Sequence, residues 1–466
     1  MLSAIAERCG PKTVVTDPAA IAPWLTDWRG LHHGASAAIL APGSVGEVAA
    51  MVALAAEHDV PLVPQGGNTS MVAGATPPAD GSALILSLRR MDRLRSIDAG
   101  ASLAVAEAGM ILANLHDKAD ATGMRFPLTL GARGSCTVGG LIATNAGGTQ
   151  VLRFGPMRAL VAGVEAVFPD GSIHDGLAAL KKDNRGYSID HLLIGSEGTL
   201  GIITAASLRL VPAITGRAVA WLGLTDPQSA LDVLRMLEAE TSAIEGFEIV
   251  PGDSLDLVLA HILGTRAPLV GQHRWHVLVE ATATSPDDEP PAALLERLLE
   301  PALASGLVED AVIAASEAQA EAFWRIRDSI SEAERASGPA TQHDISVPVG
   351  DMPRFLVDAA RAVEAAFPGA QASAFGHLGD GNVHFHVRAM GRLTDDWYAR
   401  EAPVVTRFVH DLVTAAGGSI SAEHGIGQMK RDELARLGPP SRLMALKAVK
   451  HGLDPRGLMN PGKLIV

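Results

Sequence analysis

Four histidines and a glutamate stand in two short glycine-bounded stretches near the C-terminal end of the 466-residue sequence. FGHLGDGNVHFHV carries His377, His384 and His386, and SAEHGIG carries Glu423 and His424. If the residues flanking the Gly-Asp-Gly-Asn turn pair as a hairpin, His377 and His384 meet on one face, and His386 joins them by the two-residue period of a strand. Two histidines and a glutamate form a ligand set for a catalytic zinc, which keeps coordination positions open. The residue types alone do not choose between Zn, Mn, Fe and Co. A lone histidine is more often packed or left on a surface than bound to a metal, but four in two such motifs are harder to assign to packing. A neutral imidazole beside a metal-bound hydroxyl can remove its proton near neutral pH.

A second candidate lies upstream. FWRIRDSISEA places Arg327 and Ser331 four residues apart, which is one face of the helix expected there. The planar fork of arginine matches the two oxygens of a carboxylate. The competing assignment is an ordinary surface arginine.

Three glycine-rich stretches occupy the N-terminal half: PQGGNTSMVAGA (64–75), GARGSCTVGGLIATNAGG (131–148) and GSEGTLGIIT (195–204). Glycine permits positive φ and close backbone approach, while Asn68, Thr69, Ser70, Ser135 and Thr137 can donate hydrogen bonds to phosphate oxygens. Any one such stretch reads equally well as a turn. Three together, each with small hydroxyl residues, point to a nucleotide-like cofactor held without lysine. A Walker loop is absent, and no GxGxxG opens a helix after a strand.

The elements that must carry these groups are readable around them. Residues 38–40 read as a strand, followed by Ser44 and Glu47 in capping-box spacing and by Val45, Val48, Met51, Val52 and Ala55 at helical spacing. The helix ends near His58, and a strand over 61–64 runs directly into the first glycine loop. Further strands are expected at 83–88 and 103–106, with a helix over about 110–122, so this half reads as α/β. From about residue 216 the texture changes to longer Ala/Leu/Glu-rich helices alternating with strands such as 276–280 and 373–375; residues 285–291, rich in Pro and Asp, read as a solvent loop.

Composition bounds the function. The apolar fraction of 47% and charged fraction of 19% suit a chain with a large core, and 466 residues suit more than one domain. A net charge of −14 with no Lys/Arg run excludes a phosphate-tracking surface and favours a small-molecule substrate over nucleic acid. No apolar run approaches the ~18 residues of a membrane span, and Glu7 and Arg8 already interrupt the first helix-like stretch, so neither a transmembrane segment nor a cleavable leader is expected. Cys9 and Cys136 read as free thiols in a reducing cytoplasm.

The loop PQGGNTS, the run GARGSCTVGGLIATNAGG and the segment KDNRGYSIDHLLIGSEGTLGIIT resemble the FAD domain of the vanillyl-alcohol-oxidase flavoprotein superfamily. The pattern is most similar to its D-2-hydroxyglutarate and D-lactate dehydrogenase branch, over about residues 38–465. The resemblance implies an α+β chain: a two-lobed α/β FAD-binding domain over 1–215 with an N-terminal helical extension, an α+β cap with a largely antiparallel sheet over 216–420, and a segment 421–466 returning to the FAD site. It implies non-covalent FAD, since the first loop offers Asn68 where covalent relatives often carry a histidine. The pyrophosphate would lie on Pro64, Gly66, Gly67, Asn68, Thr69 and Ser70 and on Gly131, Ser135, Thr137 and Gly140. Asn145, Gly147, Ile202 and Asn460 would line the flavin and adenine.

The same resemblance assigns the metal to His377, His384 and Glu423, the catalytic base to His424, and substrate contacts to Arg327, Ser331, Asn382 and positions 342 and 386. Two of these depart from the family: Gln342 stands where a lysine is usual, and His386 where asparagine is common. Without that lysine a distal carboxylate keeps fewer charged partners. The implied activity is oxidation of a small D-2-hydroxy acid, of the D-2-hydroxyglutarate, D-lactate or D-malate class, to the 2-oxo acid. Hydride would go to flavin, and electrons onward to an electron-transfer flavoprotein, a quinone or a cytochrome, in a cytoplasmic protein for which a homodimer is an admissible assembly. The alternatives are a non-haem metal enzyme using the two histidines and the glutamate as a facial triad, and a subunit of a glycolate-oxidase-like complex.

Overall fold

The computed structural model describes residues 1–391 and 396–465. The chain divides into two compact units, one formed by Met1–Gly148, Phe154–Ala213 and Glu423–Val466, the other by Thr149–Arg153 and Ile214–Ala422.

In the first unit, Ser44 caps the helix Val45–Glu57 by accepting the N–H of Glu47 at 3.3 Å, and the Glu47 carboxylate reaches back to the N–H of Gly43 at 2.7 Å. The reciprocal cap thus closes one residue earlier than the usual box. The apolar stripe Val48, Met51, Val52 and Ala55 is buried. Beneath it, Ile39–Leu40, Leu84–Ser87 and Leu62–Gln65 pair in parallel, with Val14–Val15 added antiparallel at one edge. Every residue of Leu84–Ser87 is buried, as a parallel strand covered on both faces requires.

A second sheet in this unit orders Leu94–Asp98, Leu103–Glu107, Ile202–Arg209, Val161–Val167 and Ile173–Asp175, and all its pairings are antiparallel. The C-terminal tail joins the parallel sheet: Met459 bridges Leu62, and the N–H of Asn460 donates to the Leu62 carbonyl at 2.8 Å.

The second unit is built on a seven-stranded antiparallel sheet. Its order is Asp310–Ile313, Gly216–Leu224, Trp275–Ala283, Ile244–Pro251, Ala370–His377, Asn382–Ala389 and Ala340–Ser346. One face packs on the helices Pro227–Glu240, Pro291–Ala304, Met352–Ala366 and Ala402–Ala415. Val383, Phe385, Val387 and Ala389 point into that core, so the period of two sends Asn382, His384, His386 and Arg388 to the opposite face. Helices Gly252–His261, Glu317–Asp328 and Ile330–Ser337 cover that opposite face.

Two local expectations are corrected. The hairpin turn is Leu378–Gly381 rather than Gly-Asp-Gly-Asn: Asn382 already pairs with His377, because Asp380 accepts its N–H at 2.9 Å and so ends the turn one residue sooner. Arg327 and Ser331 do not share one uninterrupted helix. Ser329, with ψ −4°, separates Glu317–Asp328 from Ile330–Ser337.

Candidate active site

The three glycine stretches come together in the first unit around a cavity of about 580 Å³. The first contributes Pro64, Gly66, Gly67, Asn68, Thr69 and Ser70, the second Gly131, Ser135, Thr137, Gly140 and Gly147, and the third Gly198 and Gly201 with Ile202. Glycine is needed where the loops touch. A Cβ on Gly67 would lie 1.9 Å from the Ser135 carbonyl oxygen, and one on Gly66 would lie 2.2 Å from Thr137 Oγ1. At the third loop Gly198 has φ +72°, and a Cβ there would meet Pro64 at 2.5 Å.

Among the described residues no lysine or arginine lines this cavity, so an anion in it would be held by N–H and hydroxyl donors. Thr137 Oγ1 is buried without a partner in the protein. Such a group normally finds one, so the cradle fits the diphosphate of a dinucleotide.

Glu423 and His424 line the same cavity. Their loop is pinned from the third glycine stretch by Glu197, whose two carboxylate oxygens accept the N–H groups of Ile426 and Gly427 at 2.7 Å each. Burial raises the Glu197 carboxyl pKa against the lowering effect of those two bonds. Two residues expected to line the cofactor take part in the scaffold around the cavity. Asn145 ends the helix Val138–Thr144 in the left-handed conformation and accepts the Arg158 N–H at 2.8 Å. Asn460 donates to the carbonyls of Gly74 at 2.9 Å and Glu197 at 2.7 Å, tying the tail to the first and third loops.

The remaining candidates lie in the second unit, on the sheet face shared by His384 and His386 and on the helices Glu317–Asp328 and Ile330–Ser337 that cover it. The rings of His377 and His384 are 5.3 Å apart between centroids, and His386 follows His384 at 6.4 Å. Glu248, on the strand next to His377, organises this end. It bonds His377 Nδ1 at 2.5 Å and accepts Arg327 Nε at 2.8 Å, while Arg327 Nη2 lies 3.3 Å from His377 Nε2. Arginine cannot accept a hydrogen bond, so the His377 lone pair is on Nε2 and its proton on Nδ1 faces Glu248. That carboxylate–histidine pairing is the arrangement that prepares a histidine to bind metal.

Burial would raise the Glu248 carboxyl, but Arg327 and His377 outweigh it and hold it at about 2. Burial, then the charge of Arg327, holds His384 well below the usual histidine range, so its imidazole is neutral, as a metal ligand must be.

The substrate candidates sit further along. Gln342 pairs with His386 across the ladder, and His386 Nδ1 is hydrogen-bonded to Glu334. Ser331 lies three residues before Glu334 on the same helix, half-buried. Asn382 Nδ2 donates to Asp344 Oδ1 and to the Ile345 carbonyl at 3.0 Å each, while its Oδ1 is buried without a partner among the described residues.

Sequence reasoning missed Glu197, Glu248, Glu334 and Asp344. The available signal was a carboxylate inside an apolar run, as in IEGFEIVP, where all eight residues are buried.

Comparison with known proteins adds the family. Residues 215–464 match the model of FAD linked oxidases, C-terminal domain, and residues 36–176 match an FAD binding domain. The chain is 36% identical over 462 residues to the mitochondrial D-2-hydroxyglutarate dehydrogenase of Arabidopsis thaliana, covering 98% of this chain and 80% of that protein. It is 37% identical over 467 residues to the mitochondrial D-2-hydroxyglutarate dehydrogenase of Bos taurus, covering 98% and 82%. Among solved structures, alkyldihydroxyacetonephosphate synthase superposes with TM-score 0.73 at 16% identity, covering 99% of this chain and 84% of that one. p-Cresol methylhydroxylase superposes with TM-score 0.73 at 14% identity, covering 99% and 96%. At those identities the likeness is one of fold, the two-part flavoprotein architecture expected from the glycine motifs.

One expectation is overturned. A cytoplasmic location does not stand, because these plant and animal relatives are named mitochondrial; free thiols report a reducing compartment without saying which one. No helix among the described residues is long and apolar enough to cross a membrane. The glycine cradle, the matched domains and the near full-length relatives together place this chain among the FAD-linked oxidases.

Proposed function

We propose that the protein oxidises the C2 hydroxyl of a D-2-hydroxy acid to the 2-oxo acid, with FAD in the glycine cradle of the first unit and substrate-recognition groups on the polar sheet face of the second. The observation that carries this reading is the presence of His424 in the wall of the cavity that the three glycine loops build. FAD, when bound, supplies the acceptor for the two electrons that leave C2 as hydride. His424 takes the hydroxyl proton, held in place by the loop that Glu197 anchors. Arg327 offers its fork to the C1 carboxylate.

A divalent metal, zinc in the first instance, fits the donor set. His377 has its Nδ1 proton engaged by Glu248, and His384 is kept neutral. His377 and His384 would be two of its ligands, and the ion would supply Lewis-acid polarisation of the substrate hydroxyl. The electrons then pass to an electron-transfer flavoprotein, a quinone or a cytochrome, the acceptor classes used for such a dehydrogenase.

The test is a screen of D- and L-lactate, malate and 2-hydroxyglutarate with an artificial dye acceptor. Turnover confined to D-isomers is expected. Turnover confined to L-isomers, or dye reduction by none of these acids and their homologues, rules the reading out.

A further inference from the structure

Beyond the His377–His384 pair, a second group of polar side chains lies between the helix Ile330–Ser337 and the sheet. Glu334 is 0% exposed and His386 3% exposed. One Glu334 oxygen bonds His386 Nδ1, and the other, Oε1, is buried with no partner in the protein. Across the ladder from His386, the Nε2 of Gln342 is likewise buried and unpartnered. An acceptor and a donor, both unsatisfied, therefore flank one imidazole. Leaving such groups unmade is costly, which points to a ligand that completes them.

Distance along the strand says which part of a substrate would arrive there. At roughly 3.3 Å per residue, His386 lies about 7 Å beyond His384, and Arg388 lies about 13 Å beyond it. The far end of a four- or five-carbon acid anchored near His384 reaches the first position and falls short of the second. Arg388, beyond that reach, gives Nη1 to Ser337 Oγ at 3.2 Å and keeps a buried Nε without a partner, and it neighbours Asp253, whose carboxyl is pushed up by burial. The group waiting at the tail end is thus the carboxyl of Glu334, with the amide of Gln342 opposite. A second carboxylate could accept from Gln342 but would meet the Glu334 oxygen, and like charges repel strongly in a buried setting. A hydroxyl or primary amide donates and accepts at once and satisfies both.

Resting on the functional reading above, we propose that Glu334, held against His386, is a specificity-determining residue. It selects D-2-hydroxy acids whose far end carries a neutral group that both donates and accepts a hydrogen bond, and it turns away a second carboxylate.

The experiment compares kcat/KM of the holoenzyme, with a dye acceptor, for three five-carbon D-2-hydroxy acids ending in a hydroxyl, a methyl or a carboxylate. The hydroxyl-ended acid should exceed both others by about tenfold or more. Glu334→Gln should raise the carboxylate-to-methyl ratio by about tenfold, because it removes the repulsion and adds a donor. A role in folding alone would change all three substrates alike. Should Glu334→Gln fail to fold, Gln342→Met, at a less buried position, should lower the hydroxyl-to-methyl ratio. Preference of the wild type for the dicarboxylate, or ratios that neither variant moves, overturns the inference and leaves the functional reading standing. Oxidation of none of the three acids overturns both.

Discussion

At the scale of single residues, the proposed function separates groups that act on protons from groups that hold them in place. His424→Ala should lower kcat by roughly 10² to 10⁴, the usual cost of losing a positioned general base, with metal content unchanged. His377→Ala should instead lose the metal. Identical metal contents and kinetics in the two variants would refute this division of roles. On the proposed reading Glu248 acts through His377 and Arg327, both of which it bonds. Glu248→Gln removes the carboxylate 2.8 Å from a guanidinium that is only 11% exposed, leaving Asp328 at 3.9 Å, a loss of about 3–5 kcal/mol for a broken buried pair.

The pH dependence of that pair has a definite sign. The Glu248 pKa is depressed from 4.5 to about 2, so its stabilisation is complete above pH 4.5 and disappears as pH falls toward 2. Thermal melts between those limits should show a loss of stability in the wild type that is smaller in Glu248→Gln; parallel curves would argue against the pairing. Gln342→Lys should raise kcat/KM for D-2-hydroxyglutarate more than for D-lactate, by a charge-assisted bond of about 1.5–3 kcal/mol. An unchanged ratio would mean that residue 342 does not face the tail.

At the scale of elements, the cofactor cradle depends on loops that touch backbone to backbone. Gly67→Ala would drive a methyl group against the Ser135 carbonyl, 1.9 Å from its ideal position, so one loop must move. The variant should purify folded, with a native far-ultraviolet circular dichroism spectrum, but with a much reduced ratio of flavin to protein absorbance. Full flavin occupancy would show that this contact does not shape the site. Elements with local signals were legible: the Ser44 cap, the histidine hairpin and the strand entering the first glycine loop. The break at Ser329 was not. Nothing in WRIRDSISEA interrupts a helical pattern, and the separation shows only where the two pieces pack, Phe323 and Ile326 before it and Ile330 and Ala333 after it.

At the scale of the whole molecule, the cavity-building loops belong to one unit and His377 and His384 to the other. Chelation should therefore abolish turnover while FAD stays bound, and full activity of a metal-free preparation would remove the ion from the mechanism. Acid denaturation should release intact FAD, because Asn68 occupies the first loop; flavin precipitating with the protein would contradict this.

What the sequence determined alone was chemistry that is contiguous along the chain: the glycine loops, the paired histidines, the Glu-His dipeptide and the family they resemble. Tertiary structure decided which buried carboxylate serves which motif. Glu248 meets His377 across 129 residues, Glu334 meets His386 across 52, and Glu197 meets Gly427 across 230. A glutamate in a strand carries no local mark of its partner. Only the sheet order and the helices laid over it bring a cation or an imidazole close enough to offset the cost of burying its charge.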